Sequence, residues 1–82
     1  MNRRYVPLAR SKQLMYQRKI GILIAKRRQE KGLTQEELAL TCETSQSHVG
    51  KIERGEQAPG LVILLKIAYA LNCKVSDFTP FP

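Results

Sequence analysis

Chemistry-bearing side chains are scarce in this chain, and the scarcity removes whole classes of function. There is one histidine, His48, no cluster of carboxylates faces it, and no glycine-rich phosphate loop is present, so no catalytic constellation can be assembled and an enzyme is not expected. Two cysteines, Cys42 and Cys73, have neither C-x-x-C spacing nor enough histidines beside them to hold a metal. They read as thiols of a reducing, cytoplasmic compartment; no metal, cofactor or small-molecule ligand is implied. Long apolar runs are missing too. Ile20 to Ala25 is short and flanked by cations, and Leu61 to Leu71 contains Lys66, against the ~20 residues needed to cross a bilayer, so neither a secretory nor a membrane segment is expected. Aromatic residues make up only 6% of the chain, and Tyr5 alone is placed to stack on an unpaired base, which disfavours single-stranded RNA.

Acids are outnumbered: seven Asp and Glu stand against fourteen Lys and Arg, a net charge of +7. The excess is local. Residues 1 to 31 carry ten cations against Glu30, whereas the remaining residues carry more acids than bases. Such asymmetry points to an anionic polymer or surface, with a solvated basic helix as the plain alternative. At 82 residues the chain is long enough for one domain with one small core.

What is present is concentrated in TQEELALTCETSQSHVGKIERG, Thr34 to Gly55. Thr34 and Glu37 have the T-x-x-E spacing of a capping box, so a helix starts at Gln35, with Leu38, Ala39 and Cys42 as its small apolar face. After a break around Glu43 and Thr44, Ser45 is placed to cap a second helix. Advancing about 100° per residue from Gln46 puts Val49 and Ile52 on one side. Gln46, Ser47, Gly50, Lys51 and Arg54 fall on the other, with Glu53 at the border. The polar stripe of this second helix carries no carboxylate and can approach phosphates and base edges.

These residues resemble the Cro and phage-repressor type of helix-turn-helix regulators, the xenobiotic-response-element family. The resemblance covers roughly Ile20 to Phe78. It is carried by L-T-Q-E-E-L-A (Leu33 to Ala39), I-E-R-G-E (Ile52 to Glu56), Pro59, and L-L-K-I-A-x-A-L (Leu64 to Leu71). It implies an all-α, compact five-helix, repressor-like DNA-binding domain. The chain departs from the pattern at Glu43, where the family has a turn glycine, and at Gly60, where it has a serine or threonine before the fourth helix. If the turn needs positive φ, Glu43 costs about 1 kcal/mol relative to glycine.

Residues 1 to 12 then read as a basic arm and residues 13 to 82 as the helix-turn-helix domain, with the motif at 35 to 54. The first helix is expected from near Gln13 to Lys31, where Gly21 is a weak point that permits close packing and Gly32 suits a left-handed closing position. Leu61 to Leu71 is apolar almost all round, which implies burial in the core or against a second subunit. Asn72 closes that helix, and Ser76 is expected to cap a short last turn through Phe78.

On this reading Gln46, Ser47 and Lys51 are the candidate base contacts, glutamine suiting adenine and lysine guanine. Gln35, at a helix N-terminus, Ser45, His48 and Arg54 are candidate phosphate contacts, and Arg3, Arg4 and Arg10 add phosphate or minor-groove contacts from the arm. Gly50 is read as a point of close approach to the groove. The resemblance further implies that Gln35 braces Gln46 and that Arg28 and Glu53 form an internal ion pair. The expected function is a sequence-specific, double-stranded-DNA-binding transcription regulator, acting as a homodimer on two half-sites ~34 Å apart. Candidate dimer contacts are Leu61, Val62, Leu65, Val75, Phe78 and Phe81, some of which can instead fill the monomer core. Within this class the S-H-V-G-K-I-E-R-G segment is similar to controller proteins of restriction-modification systems. The rival reading is a protein-interaction adaptor or antitoxin that keeps the motif as a scaffold.

Overall fold

Local signals set most of the helix boundaries in the computed structural model, which describes residues 9–79. Helix α1 runs from Arg10 to Glu30. It starts three residues before the expected Gln13, because Arg10, Lys12, Gln13, Leu14 and Met15 are all good helix formers and nothing after Ala9 interrupts them. The arm therefore ends before Arg10, and Arg10 itself sits in the first helical turn. Arg3, Arg4 and Phe81 lie outside the described residues. Arg27 and Arg28 occupy the last turn, where cations complement the helix dipole, and Gly32 follows at φ 71°.

Helix α2, Gln35–Thr41, opens with the capping box read from sequence: the Glu37 N–H donates to Thr34 Oγ1 at 3.1 Å and the Thr34 N–H donates to Glu37 Oε1 at 2.8 Å. It is closed by Glu43 in the left-handed region at φ 55°, so the turn does require the conformation that glycine adopts freely. Glu43 is not idle there, since its carboxylate accepts from Lys66 Nζ at 3.2 Å. Helix α3, Gln46–Glu53, starts where Ser45 Oγ accepts the His48 N–H at 3.1 Å.

α1 crosses α3 at Gly21. A Cβ at that position would overlap the Ile52 and Glu53 carbonyls, so the glycine is the point at which two backbones meet. Near it, Gln17 Nε2 donates to the Gly55 carbonyl at 3.1 Å. The helix-propensity loss at Gly21 is thus the condition for seating α1 against the end of α3.

Helix α4, Leu61–Ala70, begins after Gly60 without a side-chain cap. Its inward side, Leu64, Ile67 and Ala68, followed by Leu71, completes a core with Ile24, Leu38, Val49, Ile52 and Phe78. Each large apolar side chain so buried contributes about 1.5–3 kcal/mol. The other side of α4 stays exposed: Leu61, Val62, Leu65 and Tyr69, the last at 84%. Asn72, at φ 53°, closes the helix as expected.

The fifth expected helix is a single 3-10 turn, Val75–Phe78, leaving four α-helices among the described residues. Ser76 does not cap it; Asp77 does, its carboxylate accepting the Lys74 N–H at 2.9 Å. Phe78 is fully buried, so as a monomer-core residue it is withdrawn from the candidate dimer contacts, and Val75 packs half-buried against the same core. Cys42 and Cys73 are free thiols, Cys42 wholly buried and its pKa pushed up by that burial. No helix among the described residues is long and apolar enough to cross a membrane.

Candidate nucleic-acid interface

A chain of hydrogen bonds runs from the end of α1 to the first residue of α3. Arg28 grips Glu53 with two prongs, Nε to Oε2 at 2.7 Å and Nη2 to Oε1 at 3.0 Å, while its Nη1 donates to the Leu33 carbonyl at 2.8 Å. Glu53 Oε1 also accepts from Gln35 Nε2 at 2.9 Å, and Gln35 Oε1 accepts from Gln46 Nε2 at 2.6 Å. Every link depends on a helix end. α1 supplies the guanidinium, α2 begins with one glutamine, α3 begins with the other, and Glu53 ends α3.

The pair is shielded from water, its side chains 12% and 5% exposed. Hydrogen bonding to Glu53 holds the Arg28 pKa above its ordinary value, although burial opposes it. Among the described residues no buried side-chain nitrogen or oxygen lacks a partner. A buried charge pair satisfied in this way fixes the angle between α1 and α3, and through Gln35 it fixes the direction of Gln46.

Outward from this network, Gln46, Ser47 and Lys51 are exposed on one face of α3. That face is a strip of amide, hydroxyl and cation. Gly50 is the exception, because it is buried. A Cβ there would lie 3.0 Å from Arg54 Nη1 and 3.5 Å from Gln35 Oε1, so the position is roofed by those two side chains and does not present bare backbone to a groove. A shallow recess of about 420 Å³ lies between Arg28, Thr34, Gln35, Glu36 and Gln46, where the starts of α2 and α3 converge.

A model of the helix-turn-helix family matches residues 24–78. The chain belongs to the helix-turn-helix family of transcription regulators. It is 37% identical over 68 residues to an uncharacterised helix-turn-helix-type transcriptional regulator, y4dJ, of Sinorhizobium fredii, a match covering 76% of this chain and 88% of that protein. Among solved structures, the restriction-modification controller protein C.AhdI of Aeromonas hydrophila is 37% identical, with a TM-score of 0.73 over 76% of this chain and 94% of that one. The clp gene regulator ClgR of Corynebacterium glutamicum is 27% identical, with a TM-score of 0.75 over 77% of this chain and 67% of that one.

In this helix-turn-helix protein the remaining expected contacts are arranged unequally. Ser45 Oγ accepts the His48 N–H but keeps its own proton to donate, and His48 Nδ1 lies 2.9 Å from Thr44 Oγ1, which ties the ring to the turn. Arg54 is exposed but already partnered: its Nε donates to Glu56 Oε2 at 2.7 Å. Arg10 is exposed in the first turn of α1, roughly 12 Å along the axis from Arg18, whose backbone lies against Gly55 just past the end of α3.

Two side chains were not anticipated. Glu56 is hidden from a helical projection because it lies past the end of α3, although the glycine before it signals that the chain turns back there. Tyr69 follows Leu61 and Leu65 at four-residue steps, and the almost uniformly apolar sequence of α4 gives no polar contrast from which to read its exposed side.

Proposed function

We propose that this helix-turn-helix regulator reads double-stranded DNA in a sequence-specific manner, with α3 in the major groove and two copies of the chain on a two-fold operator. The observation that carries the reading is the Arg28–Glu53–Gln35–Gln46 chain of bonds, which holds the first side chain of α3 in one direction before any ligand arrives. Preset donors and acceptors at a helix end suit base edges, because little side-chain freedom is then lost on binding. Gln46, Ser47 and Lys51 make the base contacts; Gln35, Ser45, His48 and Arg54 hold phosphates. Arg3, Arg4 and Arg10 add contacts outside this centre.

One copy of α3 contacts too few base pairs to select a site, and the exposed side of α4 offers the means of pairing. Leu61, Val62, Leu65 and Tyr69 form a contiguous apolar strip, the kind of surface that two-fold dimers bury. The similarity to C.AhdI over most of both chains favours control of a restriction-modification system as the setting. Selection of bound fragments from a random duplex library tests the reading: recovery of a two-fold motif supports it. Recovery of no motif, with bound partners that are proteins, contradicts it in favour of an adaptor.

A further inference from the structure

Glu56 is held in place by the way α3 ends. Gly55 takes φ 74°, its N–H bonds to the Ile52 carbonyl at 3.0 Å, and the Glu56 N–H bonds to the Lys51 carbonyl at 2.9 Å. This double closure turns the chain back over the last turn of the helix, so that Glu56 returns toward the polar face it has just left. There its carboxylate meets the Arg54 fork, with Nε to Oε2 at 2.7 Å and Nη2 to Oε1 at 3.4 Å. The guanidinium lies over Gly50, beside Gln35, where a larger residue at position 50 would crowd it.

Both members of the pair are more than half exposed, at 56% and 54%, so the bond does little for the fold. Its effect is on Arg54. A carboxylate offers the fork two anionic oxygens, as a phosphodiester does, and only one of these anions can occupy it at a time. The Glu56 carboxyl is held below the usual carboxylate range, chiefly by the Arg54 hydrogen bond and further by the charges of Arg54 and Lys51.

We propose that Glu56 limits the affinity of the interface: in the free protein its carboxylate occupies the position on Arg54 that a DNA phosphate takes in the complex, and binding exchanges one anion for the other. This rests on the DNA-binding reading above. A complex that engages the Nε–Nη2 edge of Arg54 gives up the internal pair, and the released carboxylate regains counterions, so the contact yields less affinity and a shallower salt dependence than an open arginine would.

The test is a double-mutant cycle with the wild type, Glu56→Gln, Arg54→Gln and the double variant, measured at low and moderate salt on the selected duplex and on an unrelated one. Both positions are exposed, and circular dichroism checks that all four proteins fold alike. Glu56→Gln is expected to tighten binding about threefold to fivefold at low salt, the worth of one exposed ion pair, and to steepen the salt slope. In the Arg54→Gln background that gain should largely vanish. An absent gain, or an equal gain with and without Arg54, overturns the exchange. Wild-type binding is judged separately. If the wild type binds no duplex, the DNA reading fails and the exchange with it; if it binds and Arg54→Gln weakens it while Glu56→Gln does nothing, only the exchange is refuted.

Discussion

Replacing Arg28 with alanine removes the central member of the network and leaves Glu53 as a carboxylate only 5% exposed, with Gln35 as its remaining donor. Breaking a buried pair from one side costs about 3–5 kcal/mol, because the surviving charge is neither solvated nor neutralised. The Leu33 carbonyl loses its Arg28 donor as well. For a domain of this size each 1 kcal/mol moves the melting temperature by roughly 4–8 °C, so the expected fall is at least about 12 °C. Against a total stability of roughly 5–15 kcal/mol this is a large fraction. Arg28→Lys should fall between, since it keeps the charge but loses the two-pronged fork.

The pH dependence has a definite sign. The Arg28 pKa is raised in the folded state, so its contribution is complete at every pH below its unfolded value and is lost only as pH rises through the folded one, far into alkali. The contribution of the Arg28 charge to the wild type should therefore be the same at pH 6 and at pH 9, and the full Arg28→Ala penalty is expected at pH 9. Thermal unfolding followed by circular dichroism at both pH values is the assay. A shift under about 4 °C at pH 9 would refute the reasoning, because it would mean that the pair is solvated in solution.

Three further outcomes follow from packing and backbone geometry. Gly21→Ala should destabilise the fold by about 1–3 kcal/mol despite the better helix former, because its Cβ is driven into the Ile52 and Glu53 carbonyls; a stabilised protein in denaturant titration would mean that α1 does not seat there. Glu43→Gly should be near neutral, since relief of about 1 kcal/mol at φ 55° is offset by the loss of an exposed pair with Lys66 worth about 0–1 kcal/mol. A melting temperature displaced by more than about 8 °C in either direction would contradict that balance. Leu65→Glu should leave folding intact and shift sedimentation from a two-chain to a one-chain species, and an unchanged two-chain species would place the dimer contact elsewhere.

The parts of the structure legible in the sequence were those set by short-range chemistry. Thr34 with Glu37 and Ser45 with the His48 N–H are caps made within three residues, so the starts of α2 and α3 could be read without knowing the fold. The inward sides of α2 and α3 could be read for the same reason, because polar and apolar residues alternate there with the helical period. The start of α1 could not, since residues that suit a mobile basic arm also suit a helix. Phe78 could not be assigned to core or surface before it was known what lay beneath the last turn. In the interface, the face holding Gln46, Ser47 and Lys51 was legible, but the roof over Gly50 was not. That roof needs Gln35, which comes from another helix and which no helical projection of α3 contains, beside Arg54 four residues on.

The central claim is that α3 reads bases through its outward face, with Gln46 held in place by the buried network. Its most direct measurement is the affinity of Gln46→Ala and Lys51→Ala for the selected duplex and for duplexes altered one base pair at a time. Each substitution should cost about 1–3 kcal/mol on the selected duplex and much less on duplexes already altered at the contacted base, so that specificity relaxes at one position for each residue. Equal losses on every duplex would mean that these side chains only anchor the protein to phosphates, and no loss on any would mean that this face does not meet DNA.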